Sequence, residues 1–201
     1  DIADYQFSPD EKLLLLSIGS EPIYRHSYTT DYYLKGADGL RPILTDLPGT
    51  RDASFSPDGR TIAFSSGNNL YLYDIVGDSV RPITTDGAWN RIINGTTDWV
   101  YEEECAFTKA YAFSPDGQKI AYLRFDESRV PVFEMMRYDG KLYNEAYSFK
   151  YPKAAMPIRR SISTFTTLKR AKRSVSMSVP TGDSTSFNRN GRPTDGSVFS
   201  G

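Results

Sequence analysis

The residues best suited to chemistry in this chain are three consecutive carboxylates, Glu102-Glu103-Glu104. They close the segment Asn94-Gly95-Thr96-Thr97-Asp98-Trp99-Val100-Tyr101-Glu102-Glu103-Glu104-Cys105. Like charges repel, so if the three converge in a cleft at least one pKa must rise. On a strand, neighbours alternate faces, whereas on a short helical turn two neighbours can project toward the same region. The triplet therefore reads in two ways. It is a solvated acidic turn, or, with Trp99 and Tyr101 beside it, part of a packed segment whose carboxylates take an ammonium group through charge-assisted hydrogen bonds.

Hydrolytic machinery is missing from the sequence. No Gly-x-Ser-x-Gly nucleophile elbow occurs. The only histidine, His26, follows Arg25 and reads as a strand residue satisfied by hydrogen bonding, so a Ser-His-Asp triad cannot be assembled. Cys105 directly follows the triplet, but a thiol nucleophile needs a base and no motif places His26 as one. No metal-ligand spacing is present. The chain is expected to hold no catalytic residue, cofactor or metal.

The elements that must position these residues come from a repeat. Phe7-Ser8-Pro9-Asp10 introduces the apolar run at 13–17, Phe55-Ser56-Pro57-Asp58-Gly59 the run at 61–65, and Phe113-Ser114-Pro115-Asp116-Gly117 the run at 119–123. Pro fixes φ and Asp-Gly supplies the turn, so each copy reads as strand, turn, strand. The first copy carries Glu11 in place of Gly, and its turn is expected to differ. Tyr71-Leu72-Tyr73-Asp74 reads as a third strand. Arg41-Pro42-Ile43 and Arg81-Pro82-Ile83 read as fourth strands, with Pro tolerated at a sheet edge. Four short strands in each period of about 40–50 residues is the arithmetic of a propeller blade. The fold class is thus all-β, a partial β-propeller of about three four-stranded blades, interrupted by a short helical Glu-containing insertion and an extended arm.

Composition agrees with strands: 14 of the 201 residues are Tyr and 11 are Phe, types that suit pleated, half-buried surfaces. The single Cys105 excludes an internal disulfide. The longest apolar run, Leu13-Leu14-Leu15-Leu16, is far short of the ~18 residues of a membrane span. Asp1 leads straight into a strand-like segment, which reads as a start in mid-domain, so the chain is expected to be truncated at both ends. The division is expected near Ala154, with residues 1–154 the partial propeller and residues 155–201 a basic Ser/Thr-rich tail. That tail holds no Tyr or Trp, and 15 of its 47 residues are Ser or Thr.

The run Lys169-Arg170-Ala171-Lys172-Arg173 is of the kind read as a nucleic-acid or membrane patch. The plainer reading is a disordered, solvated tail. A third reading is translation out of frame. If each codon is built from one residue's third base and the next residue's first two, residues 154–186 permit a sequence containing LHLYNV, a TGE turn and RVDV, which has strand alternation. Under this reading the basic run carries no function, and no nucleic-acid partner is expected.

Three segments carry a family resemblance. Asp98-Trp99-Val100-Tyr101-Glu102-Glu103-Glu104 is similar to the Glu-containing segment of the dipeptidyl peptidase IV family. Tyr24-Arg25-His26-Ser27-Tyr28-Thr29 resembles its Arg-His-Ser-Tyr segment. Val130-Pro131-Val132-Phe133-Glu134, running to Phe149-Lys150-Tyr151-Pro152-Lys153-Ala154, resembles the arm that leaves the propeller. The resemblance covers about residues 1–154. It implies an N-terminal β-propeller over a C-terminal α/β-hydrolase domain in a serine exopeptidase that releases N-terminal X-Pro or X-Ala dipeptides. It further implies that Glu103 and Glu104 bind the substrate's free ammonium and that Arg25 helps hold the substrate carbonyl and the carboxylate pair. Peptides with a free N-terminus are then the substrates, the 130–152 arm pairs two subunits as a homodimer, and the location is periplasmic or extracellular. Without the hydrolase domain this chain should be inactive alone. The rival reading is a non-enzymatic β-propeller binding scaffold.

Overall fold

A computed structural model describes residues 1–138, 140–154, 156–168 and 173–174. The first sheet runs β1 (Ile2–Phe7), β2 (Leu14–Pro22), β3 (Tyr28–Gly36), β4 (Gly39–Ile43), paired in that order. The second repeats the pattern with β5 (Arg51–Phe55), β6 (Thr61–Ser66), β7 (Asn69–Asp74) and β8 (Ser79–Pro82). The third begins with β9 (Ile92–Asn94), is interrupted by helix α1 (Trp99–Cys105), and resumes with β10 (Tyr111–Phe113) and β11 (Lys119–Asp126). An arm of β12 (Val132–Arg137) and β13 (Glu145–Lys150) forms a two-stranded sheet, after which β14 (Arg160–Thr167) and β15 (Arg173–Ser174) complete the order β10-β11-β14-β15. All pairings are antiparallel. This is the partial propeller expected from the repeat, with its helical insertion and its arm. Pro42 and Pro82 lie on the outer strands β4 and β8, where a missing N–H need not break a ladder.

The Ser-Pro-Asp turns are alike in all three blades. The Ser8, Ser56 and Ser114 hydroxyls donate to Asp10, Asp58 and Asp116 at 2.8, 2.6 and 2.5 Å. Each Ser Oγ accepts the backbone N–H five residues on, from Leu13, Thr61 and Lys119. Donation from these hydroxyls is the main reason the three carboxyls are held below their usual range. The expectation of a different first turn is corrected. Glu11 adopts φ 59°, beside 68° at Gly59 and 64° at Gly117, because the serine–aspartate bonds fix the turn whatever follows.

Packing places the second blade between the other two. Along β6 the side chains alternate, so Ile62 and Phe64 join Leu15, Tyr32 and Leu34 of the first blade. Ala63 faces the other way, with Leu70 and Leu72, onto Tyr111, Ile120 and Tyr122 of the third blade. Ile62, Ala63 and Phe64 are all fully buried. Both faces of this strand are therefore core, which is why it reads as a continuous apolar run rather than an alternating one. The equivalent face of the first blade is open, leaving Ile2, Tyr5 and Phe7 exposed.

The described part of the tail forms a strand at residues 160–167. β14 pairs with β11 along its whole length, from Lys119↔Thr167 to Asp126↔Arg160. Leu168 packs against the core formed with the second blade, and its carbonyl accepts from Arg81 Nη2 at 3.2 Å. β11 has an edge to be paired, and that backbone demand is met by an alternating Ser/Thr-rich segment. The basic run at 169–172 and the stretch from 175 onward lie outside the described residues.

Candidate functional site

The Glu triplet is carried on a stem that leaves and rejoins the third blade at one point. Gly95 N–H donates to Leu123 O, Leu123 N–H to Ala110 O and Ala110 N–H to Gly95 O, at 2.9–3.1 Å. Thr97 N–H donates to Thr108 O at 3.1 Å, and the Thr97 hydroxyl to Phe107 O at 3.1 Å. At the head of this stem sits α1. Asp98 is its N-cap, accepting from Tyr101 N–H at 3.0 Å, the exchange that satisfies one orphan donor of the first turn. Ala106 closes the other end in the left-handed conformation, its N–H on Glu102 O.

Aromatic packing fixes the helix on two sides. Tyr101 meets Phe125 and Phe107, with ring centroids 5.0 and 6.0 Å apart. Trp99 meets Phe149 and Tyr151 at the base of the arm, at 5.7 and 5.3 Å. The segment carrying the triplet is thus packed by aromatic rings.

The three carboxylates have three environments. Glu102 is fully buried, Glu103 half-buried and Glu104 exposed. Arg25 stands on the β2–β3 turn of the first blade, closed by N–H donation from Ile23 and Tyr24 to Ser27 O. Its Nε lies 3.2 Å from Glu103 Oε2. Arg25 and Glu103 are thus brought together from different blades, with Glu104 next along the helix. His26 is in the turn, not on a strand as expected. Its side chain is exposed and lines a polar cleft of about 320 Å3 with Asp4, Tyr28, Asp52 and Lys109.

Two residues of the insertion escaped the sequence reading. Glu102 Oε1 accepts the backbone N–H groups of His26 and Ser27 at 2.7 and 2.8 Å. Asp98 forms a buried ion pair with Arg159, Nε to Oδ2 at 2.6 Å, and Arg159 lies over the Tyr101 ring at 4.7 Å. Burial raises the Asp98 carboxyl, opposed by Arg159. Burial, with the Asp98 charge beside it, pushes Glu127 up to about 8. Asp98 could be read beforehand as a cap from its place before an apolar run; nothing in the sequence marked Glu102 apart from its two neighbours.

The described residues contain no cluster of metal-ligating side chains, and none of their helices is long and apolar enough to cross a membrane.

A family model described as "Dipeptidyl peptidase IV (DPP IV) N-terminal region" matches residues 8–188. The chain belongs to this family. Among curated relatives of the dipeptidyl peptidase IV family, it is 37% identical over 155 residues to "Prolyl endopeptidase FAP" of Mus musculus, covering 75% of this chain and 20% of that protein. It is 36% identical over 162 residues to "Dipeptidyl peptidase 4" of Trichophyton equinum, covering 76% and 20%. To "Probable dipeptidyl-aminopeptidase B" of Talaromyces marneffei it is 38% identical over 166 residues, covering 75% and 18%. The crystal structure of Porphyromonas gingivalis dipeptidyl peptidase 4 superposes with a TM-score of 0.79 at 36% identity, over 84% of this chain and 24% of that one. The chain spans about a fifth of the length of the curated relatives it matches. It is a propeller segment of the N-terminal region of dipeptidyl peptidase IV-like proteins.

Proposed function

We propose that this segment is the substrate anchor of a serine exopeptidase that releases N-terminal X-Pro or X-Ala dipeptides. The observation that carries the reading is the approach of Arg25 to Glu103 on α1, with Glu104 beside it. A carboxylate pair at the end of a short, packed helix, one member half-buried and the other exposed, suits one ammonium group. A fixed anchor for the amino group sets how many residues reach the nucleophile, which is positioning and not bond-breaking. The bond-breaking groups belong to a C-terminal α/β-hydrolase domain outside this chain, so the chain by itself is inactive. The exposed Val132, Met135 and Met136 of the arm are the surface on which two subunits pair. A binding scaffold without enzymatic partners has no need of an ammonium receptor.

In the full-length enzyme, Glu103→Gln or Glu104→Gln lowers kcat/KM for a free-amino substrate such as Gly-Pro-p-nitroanilide by about 10- to 100-fold. This is the loss of one hydrogen bond to a charged group, about 1.5–3 kcal/mol. Unchanged turnover in both variants would refute the anchor.

A further inference from the structure

We infer that Glu102, the first carboxylate of the triplet, is a positioning residue that places Arg25 through the main chain of its turn. This inference rests on the anchoring role proposed above. The anchor needs two segments held together, because Arg25 comes from the first blade and Glu103 from the insertion in the third. The Arg25–Glu103 pair is poorly suited to holding them. Glu103 is 15% exposed but the Arg25 side chain is 72% exposed, and an ion pair with one partner in solvent is weakened by hydration and salt. The bonds within the turn, from Ile23 and Tyr24 to Ser27 O, set its shape but not its distance from α1.

Glu102 supplies that distance. It is fully buried, and its Oε1 accepts from two successive amides, His26 and Ser27, across 76 and 75 residues of sequence. Both bonds lie away from water, the setting in which a hydrogen bond is strongest and its loss most costly. Because the acceptor grips the backbone directly after Arg25, the guanidinium is delivered to Glu103 whatever the Arg25 side chain's own freedom. The triplet thus divides its work. Glu102 faces inward and joins the blades; Glu103 and Glu104 are left for the ligand.

The test uses the full-length enzyme with Glu102→Gln, which keeps an acceptor oxygen, and Glu102→Ala, which removes it. Two readouts are taken: kinetics with Gly-Pro-p-nitroanilide, and amide hydrogen exchange by mass spectrometry on a peptide covering residues 22–30. Glu102→Ala is expected to raise KM about ten-fold or more with kcat changed less than about three-fold, and to speed exchange in that peptide while peptides from β5–β8 stay protected. Glu102→Gln should stay within about three-fold of the parent in both. Parent-like KM and exchange in Glu102→Ala overturn the inference, as does a glutamine variant as impaired as the alanine one. If the alanine variant loses protection throughout, the glutamine variant decides alone: parent-like values support the role and a raised KM overturns it. Failure of the anchor itself is distinguishable, since Glu103→Gln would then leave KM unchanged while the exchange result still reports on Glu102.

Discussion

At the residue scale, one carboxylate triplet shows how position on a short helix separates side chains of identical chemistry. Asp98 starts α1, Trp99 and Tyr101 pack on it, and the helical turn then points Glu102 into the protein, leaves Glu103 half-buried beside Arg25 and leaves Glu104 exposed. The same logic governs the turns of the repeat, where one backbone conformation is used by different residues. Gly117 has φ 64°, and an added Cβ would meet nothing closer than 3.7 Å, so the penalty of Gly117→Ala is the left-handed conformation alone. That is about 1 kcal/mol of destabilisation, read as a lower urea midpoint with an unchanged slope. Glu11→Gly relieves the corresponding strain in the first turn and should raise the midpoint by up to about 1 kcal/mol in stability. If the two substitutions shift the midpoint the same way, φ is not the controlling variable.

At the scale of elements, the helix is held through a buried acidic pair whose proton matters. Glu127 is pushed from the ordinary glutamic acid value of about 4.3 up to about 8, by burial first and by Asp98 second. The folded state then keeps a proton that the unfolded chain releases. Its contribution to stability is complete below the ordinary value, falls as pH rises through the window, and is gone above about 8. Thermal midpoints should decline across that window, and Glu127→Gln should flatten the decline; a slope identical in parent and variant would contradict the assignment.

The tail poses a second question at this scale. β14 (Arg160–Thr167) and β15 (Arg173–Ser174) pair antiparallel, and the shifted reading frame puts the strand-like LHLYNV over β14. The coding sequence is expected to permit that frame. Codons over residues 154–186 that forbid it would remove the explanation.

What was legible in the sequence follows the range of the interactions. The Ser-Pro-Asp turns are made of bonds spanning two to five residues, so three copies announced three blades. The alternation in β6 was partly hidden because both its faces are core. Arg25, Glu103 and Glu104 were singled out through resemblance to the dipeptidyl peptidase IV family, and the approach of Arg25 to Glu103 follows from packing between blades. Glu102 was not legible, because its partners are backbone amides 75 and 76 residues away, and no residue type encodes them. The strand at Arg160–Thr167 was missed for a similar reason: an unpaired edge of β11 imposes it on a segment of weak pattern.

At the scale of the molecule, the blades act as a frame that brings distant turns to one place. The second blade lends one face of β6 and β7 to each neighbour, so the first and third blades are fixed relative to each other through it. The turn bearing Arg25 belongs to the first, and the stem bearing α1 to the third. The approach of Arg25 to Glu103 is therefore a property of three consecutive blades and of no single one. Changes in the buried Phe64 or Leu72 are expected to alter that approach as well as stability, since the spacing of the blades sets it.

In the proposed function, Glu103, with Glu104 and Arg25, receives the substrate's ammonium group. The most direct measurement is a cycle in the full-length enzyme, comparing kcat/KM for Gly-Pro-p-nitroanilide and its N-acetyl form in the parent and in Glu103→Gln. Strong non-additivity is expected. Acetylation should cost the parent about 10- to 100-fold and the variant much less, because the partner of the ammonium has already gone. Equal losses on acetylation in parent and variant would contradict it.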